Sequence, residues 1–223
     1  MYQENHNGIL AGCLLGDGYL PKNSRMIYSA HTTPQRNYVL YKNELFNSLG
    51  MKSSVKLDYW KKTSLGPYEY SDVRVKLPNN DLRKASKVEL ANQLTPIGLL
   101  IWWMDDGSLS VHKKKNRPSV SRHGYLNTQS MDLTTTQEVV NVLESRFGFK
   151  LSIHKDSGSG FNNKLPVTYY RIYFNATAMR ALIDVVRHLI PDIPKDMMYK
   201  FNMGYYPTRV KASIAYTQDY NFN

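Results

Sequence analysis

The sequence holds a single cysteine, Cys13, among 223 residues, so neither an intramolecular disulfide nor a multi-cysteine zinc site can form. Its place inside an apolar run marks it as a small buried hydrophobe. The six histidines show no metal-ligand spacing. No apolar run approaches the roughly 20 residues of a membrane span, and the opening MYQENHNG lacks the basic and apolar regions of a secretory leader. A basic amphipathic helix suited to an anionic membrane surface is missing as well. We therefore expect a soluble intracellular protein with no membrane partner. Acidic residues are also scarce: 18 Asp and Glu against 29 Lys and Arg leave a net charge of +11 and a pI near 9.6. That excess suits a polyanion, and nucleic acid leads once membranes are set aside.

At 42% hydrophobic and 21% charged, the composition is that of a globular chain, long enough for one large domain or two small ones. The chain is written twice. GILAGCLLGDGYL at 8–20 superposes without a gap on IGLLIWWMDDGSL at 97–109, setting Asp17 on Asp106 and Gly18 on Gly107 at an offset of 89. ELFNSLGMKSSVKL resembles VLESRFGFKLSIHK, with Gly50 on Gly148 at an offset of 98, and the extra length belongs with the basic loop HKKKNRPSVSRHG at 112–124. The expected halves are 1–92 and 93–223.

Each half starts with an apolar helix. Gly8, Gly12 and Gly16 recur every fourth residue, line one helix face, and let a second backbone come close. Thr95 and Pro96 give the second helix an N-cap and a first-turn proline. β-like stretches follow at 19–31 and 107–129, then helices near 34–49, opened by Thr33 and Pro34, and near 134–147, closed by Gly50 and Gly148. In Val73 to Leu77, Leu151 to His154 and Tyr169 to Phe174, apolar residues alternate with basic or polar ones, so one sheet face is core and the other faces a partner. The predicted fold is α+β, two pseudo-symmetric αββαββα halves with antiparallel sheets.

LAGCLLGDG at 10–18 resembles the nonapeptide of the LAGLIDADG homing endonucleases, and LLIWWMDDG at 99–107 resembles a second, more divergent copy. LTPIGLLIWWMDDG, YLNTQS at 125–130 and IPKDMMYK at 193–200 are similar to the monomeric, intron-encoded subfamily with two motifs per chain. Leu15 and Met104 replace the motif's first aspartate, and Ile101 stands where Gly12 stands in the first copy. The resemblance implies two motif helices packed at a seam and two sheets forming a DNA-binding saddle. It also implies metal-dependent hydrolysis of both strands at a long asymmetric site, with Mg2+ or Mn2+ as cofactor. Asp17 and Asp106 would be the catalytic metal ligands, joined by the backbone carbonyls of Gly16 and Asp105. A helix C-terminus already favours a cation there. The family's lysine near each metal falls on Lys200 in the second half and, by a looser match, on Lys84 in the first, with Arg83 and Lys87 as neighbours.

Candidates for DNA contact are Arg25, Lys56, Arg74 and Lys76 in the first half, and Arg122, Asn127, Gln129, His154, Arg171 and Tyr173 in the second, since Arg, Asn and Gln can grip base edges bidentately. Lys113, Lys114 and Lys115 suit phosphate contact. Two other readings use the same basic surface: an intron maturase that binds its host intron RNA, and a silent DNA-binding regulator. The two carboxylates aimed at a polyanion speak against the regulator. Such reading frames occur in mitochondria, chloroplasts, bacteria and phage, so the sequence implies an intracellular protein, with mitochondrion and chloroplast among its candidate compartments, and leaves the origin open.

Overall fold

The structure is a computed structural model that describes residues 2–63, 66–77, 81–113, 120–160 and 164–202. The first half runs α1 (Tyr2–Leu15), β1 (Gly18–Tyr19), β2 (Met26–Thr32), α2 (Arg36–Ser48), β3 (Ser53–Thr63), β4 (Gly66–Lys76) and the short α3 (Asp81–Lys84) and α4 (Lys87–Gln93). The second repeats the plan with α5 (Pro96–Asp106), β5 (Gly107–Lys113), β6 (Val120–Asn127), α6 (Leu133–Phe147), β7 (Ser152–Gly160), β8 (Lys164–Phe174) and α7 (Ala176–Val186), followed by 3-10 turns at Arg187–Asp192 and Lys195–Lys200. The expected boundary between residues 92 and 93 falls at the end of α4.

Two four-stranded antiparallel sheets form, ordered β1-β2-β4-β3 and β5-β6-β8-β7. Their registers correspond: Gly18 pairs with Ser29 as Gly107 pairs with Leu126. In each sheet the edge strand leaves directly from the end of a motif helix, because Asp17 precedes β1 and Asp106 precedes β5. The alternation predicted for the strands holds, with Val73, Val75, Leu126, Ile172 and Phe174 buried against helices.

Local signals explain the helix starts. Thr95 caps α5 by accepting from the Gly98 N–H at 3.3 Å, with Pro96 in the first turn. Asp132 caps α6 through the Thr135 N–H at 2.7 Å, and Ser86 with Glu89 closes a capping box on α4. One expectation needs correction: Thr33 and Pro34 do not open α2. They lie in a 3-10 turn at Thr33–Gln35, and α2 begins at Arg36 behind Gln35, which makes no side-chain cap. Pro34 suits that tighter turn because it has no N–H to satisfy. Gly50 and Gly148 both sit in the left-handed region, at φ 72° and 71°, where the helices stop.

The helices α1 and α5 cross at the seam in backbone contact. A Cβ on Gly12 would lie 2.1 Å from the Gly98 carbonyl oxygen, and one on Gly98 would lie 2.0 Å from the Gly8 carbonyl oxygen. The seam is not symmetric, since Ile101 fills the position matching Gly12 and Gly98 makes the close approach instead. The rest of α5 is wrapped in core, with Leu99 to Met104 all 0% exposed. Burial of such side chains stabilises by roughly 1.5–3 kcal/mol each. No described helix is long and apolar enough to cross a membrane.

Because the atoms facing Gly12 and Gly98 are backbone and cannot swing aside, Gly12→Ala should force the helices apart. We expect a loss of about 2–3 kcal/mol, read as a melting temperature lower by about 5–10 °C. An unchanged thermal melt would mean that the seam is looser than this contact.

Candidate active site and nucleic-acid interface

Asp17 and Asp106 stand at the C-terminal ends of α1 and α5, where unpaired carbonyls leave partial negative charge. Both carboxyl groups are pushed above the ordinary range. Burial raises Asp17 most, followed by the charge of Asp105. Asp106 is pushed up to about 7 by burial first, then by Asp17 and Asp105. The Trp102 indole N–H pulls Asp106 back a little from a position too loose to close a hydrogen bond, as does the Lys200 charge. Asp106 thus senses Asp17 across the seam, Asp17 senses Asp105, and desolvated acids gathered this way are a place for a cation.

Two basic residues near these acids, Lys200 and Lys87, are anchored on the motif helices themselves. Lys200 is buried, and its Nζ donates to the Met104 carbonyl and to the Asp105 carbonyl at 3.1 Å. Burial pulls its pKa down while Asp105, Asp17 and Asp106 raise it. In the first half Lys84 lies exposed at the end of α3. One helical turn on, Lys87 donates from Nζ to the Leu14 carbonyl at 2.7 Å and feels the charge of Asp106. The helix break between α3 and α4 makes the difference, since Lys87 opens α4 and faces α1. Arg83 is spent elsewhere, binding the carbonyls of Pro21, Lys22 and Ser24.

A buried polar cluster that the sequence reading passed over lies beneath Asp17. Lys42 of α2 is 0% exposed, and its Nζ donates to Asp105 Oδ1 at 2.7 Å and to Ser29 Oγ at 2.8 Å, with His31 Nε2 at 3.2 Å. The Tyr38 hydroxyl donates to the same Asp105 oxygen at 2.7 Å. Burial, then Lys42, lowers His31 to about 3, so the ring is neutral. With Lys42 and Ser29 both on Nε2, its proton belongs on Nδ1, which lies 3.6 Å from Asp17 Oδ2. The signal for Lys42 was in the sequence: Tyr38, Lys42 and Phe46 share one α2 face at a spacing of four, the core face.

Oxygens of Asp17 and Asp105 and a ring nitrogen of His31 all lie within 4.8 Å of one another, a group that could hold a metal ion. The donor set fits only in part, because the Lys42 ammonium already sits between Asp105 Oδ1 and His31 Nε2 as a built-in cation. Asp105 Oδ2 accepts the Asp17 backbone N–H at 3.2 Å and keeps one lone pair beside the Asp17 carboxylate. Oxygen donors for a hard divalent cation are therefore Asp17, Asp106, that remaining lone pair and the carbonyls at the helix ends.

On the open face of the first sheet, Arg74 grips Asp72 with two hydrogen bonds of 2.8 and 3.2 Å and lies over the Tyr28 ring, while Lys56 lies over Tyr59 and Lys76 is exposed. Arg25 is exposed just before β2. On the second sheet, Arg171 pairs with Asp156 and lies 4.4 Å from the Tyr125 ring centre, and His154 stacks on Tyr173 at 4.2 Å. Gln129 is exposed in the turn after β6. Asn127 faces the same side but donates its amide to the Asp106 carbonyl at 2.8 Å, so it ties the sheet to the motif helix. Arg122 departs from expectation: strand alternation sets it on the side of Gly124 and Leu126, which faces the helices, and its Nε is buried. Lys113 ends β5 with its side chain outside the described residues, and Lys114 and Lys115 lie outside them altogether.

The sequence pattern of the LAGLIDADG DNA endonuclease family matches residues 7–182. Among curated relatives, Protein RecA of Mycolicibacterium flavescens is 29% identical over 112 residues, 48% of this chain, and Protein RecA of Mycolicibacterium chitae is 27% identical over the same length. The match covers only 26% of either relative. Among solved structures, the homing endonuclease I-WcaI bound to its DNA recognition sequence shares 19% identity with a TM-score of 0.64, covering 89% of this chain and 86% of that one. This likeness supports the fold: two antiparallel sheets with helices.

The raised Asp106 pKa makes a stability prediction. A folded-state acid shifted to about 7 from 3.8 binds protons that the unfolded chain does not, so stability without metal is lost as pH rises between those values. Asp106→Asn should therefore melt higher than the parent at pH 8 in a chelator, with the advantage shrinking toward zero near pH 4. Added Mg2+ should close the gap at pH 8 by stabilising the parent. Equal melting curves across this range would refute the shift.

Proposed function

Since this chain belongs to the LAGLIDADG DNA endonuclease family, we propose that it is a metal-dependent, site-specific endonuclease that cuts both strands of a long asymmetric duplex. The observation that carries the proposal is the pair of acids, Asp17 and Asp106, set at the ends of two helices in backbone contact, each leading into the edge strand of its own sheet. Two sites serve two strands, and the sheets flanking them supply the grip. Both motifs lie in one chain and meet at an internal seam, so a monomer has no need of a second copy. The two halves differ at groove-facing positions: Arg74 in the first sheet corresponds to Tyr173 in the second, as the registers with Tyr28 and Tyr125 show. The half-sites should differ accordingly. Side by side, the two sheets would form a saddle over roughly 18–20 base pairs.

The acids would hold Mg2+ or Mn2+ with help from the carbonyls of Gly16 and Asp105, and a bound ion would polarise the phosphoryl oxygen and lower the pKa of a water. The chain's own residues supply the remaining parts. Lys200 and Lys87, each tethered to motif-helix carbonyls, are fixed positive charges that favour the crowded, more negative phosphate of the transition state. Lys200 spends two of its three donors on carbonyls, leaving one for phosphate. Arg74 and Arg171 enter the groove already held by Asp72 and Asp156, which fixes their forks while reducing their net charge. Lys56, Lys76 and Arg25 are the looser cations that suit phosphate contact.

The direct test is to incubate the protein with a duplex library in Mg2+ or in EDTA and to sequence new ends. Cuts at one long site, present only with Mg2+, are expected. Asp17→Asn and Asp106→Asn should each suppress double-strand cleavage while keeping DNA affinity within roughly tenfold, because the basic surface is untouched. Either mutant retaining full activity would remove its acid from the centre. Lys87→Met and Lys200→Met should each slow cutting about 100-fold or more, whereas Lys84→Met should leave it within about twofold. A Lys84→Met enzyme slowed like Lys200→Met would restore Lys84 to the site.

Affinity should also depend steeply on salt. With on the order of ten phosphate contacts, log affinity should fall against log salt with a slope near −9. A slope near zero in a filter-binding series would mean that the basic faces do not bind the duplex.

A further inference from the structure

We infer that Lys42 is a positioning residue for the Asp17 site alone, so that the two strand cuts rest on chemically different centres. The inference rests on the reading that Asp17 and Asp106 each serve one strand. Its geometry is a short relay across the seam. Lys42, from α2 of the first half, holds Asp105 Oδ1 at 2.7 Å. Asp105, from the second motif helix, accepts the Asp17 backbone N–H on its other oxygen at 3.2 Å. Tyr38 holds the same carboxylate from α2, and His31 bridges from the Lys42 ammonium to within 3.6 Å of the Asp17 carboxylate. The Lys42 and Asp105 side chains are both 0% exposed, so water cannot take over either contact.

None of these groups has a counterpart beneath Asp106. Gly16 occupies the position matching Asp105 and has no side chain to offer. The strand registers set Ser29 against Leu126 and His31 against Thr128. Counted from Gly50 and Gly148, Lys42 falls on Val140 and Tyr38 on Thr136, both buried. Asp106 is located instead by helix packing and by the Asn127 amide on its carbonyl at 2.8 Å. A charged strut acting through a side-chain carboxylate thus positions one acid, whereas helix packing, the Asn127 amide and Lys200 on the neighbouring carbonyls position the other. Removing the strut lets the Asp17 backbone and carboxylate drift while Asp106 stays in place, and a misplacement of about 1 Å can cost roughly 100-fold in rate.

The test uses a duplex carrying the site recovered from the library, labelled separately on each strand, with single-turnover rates for both cuts. Asp17→Asn and Asp106→Asn first assign the strands; if their residual nicks do not fall on opposite strands, the underlying reading fails and the inference with it. Given that assignment, Lys42→Met should slow the Asp17 strand at least tenfold while the Asp106 strand stays within threefold, so that singly nicked duplex accumulates. Lys42→Met leaves a buried carboxylate unpaired and can lower the yield of folded protein. Tyr38→Phe is the milder variant, and should bias the same strand about threefold with little loss of melting temperature. Calorimetric titration of Ca2+ into the protein–DNA complex gives a readout without turnover: either variant should weaken part of the isotherm. Equal slowing of both strands by either variant, or Ca2+ isotherms that superimpose on the parent's, would overturn the proposal and leave Lys42 a structural residue.

Discussion

The carbonyl oxygen of Gly98 lies where a side chain on Gly12 would have to be, and the carbonyl oxygen of Gly8 lies where one on Gly98 would be. Two helices that meet through glycine backbone run closer than any side-chain interface permits, and the candidate centre depends on that distance. It brings the C-terminal ends of α1 and α5 near enough for Asp17 to raise the pKa of Asp106 and for Asp105 to raise that of Asp17. It also fixes the starts of β1 and β5, which follow the acids without a linker, so the sheets take their places from the seam. Widening it would separate the acids and swing both sheets at once.

That closeness has an electrostatic cost, and the structure meets it unequally. Three carboxylates gather at the seam. Asp105 is satisfied within the protein by Lys42 and Tyr38, and a buried pair of this kind is costly to break from one side, about 3–5 kcal/mol. Asp17 and Asp106 are left without a cationic partner in hydrogen-bond contact among the described residues, and the nearby Lys200 and Lys87 spend donors on carbonyls instead. The neighbouring acids Asp105 and Asp106 are therefore different chemically: one has its countercharge built in, the other has none in hydrogen-bond contact among the described residues.

Much of this was legible in the sequence, and the reason is repetition. The Asp-Gly pairs and the strand alternation recur in both halves, which raised each above chance, while the glycine ladder of α1 and the Thr95 cap are local rules strong enough to stand alone. What was missed is what the duplication does not share. Lys42 and His31 sit at positions whose counterparts are Val140 and Thr128, so comparing the halves hid them. Sequence distance cannot tell which residue of LRKASK opens a new helix facing α1, so it does not separate Lys84 from Lys87. The charge of Arg122 points to DNA, whereas strand register decides the side it takes. Pairing and facing are tertiary facts, and only a strong local pattern anticipates them.

The one-sidedness of the buried cluster follows from the covalent link between the halves. In a symmetric dimer, Lys42 and Asp105 would each occur twice, so each site would carry its own buried pair where the glycine seam leaves room for little. In a single chain one half can supply the cation and the other the anion, and Gly16 can stay bare to preserve the close approach while Asp105 carries the carboxylate. The same freedom shows on the sheets, where Arg74 held by Asp72 in one half corresponds to Tyr173 stacked on His154 in the other. A core that keeps pseudo-symmetry only where helix contact demands it leaves every other position free to diverge, and the asymmetry of site and surface has that one physical source.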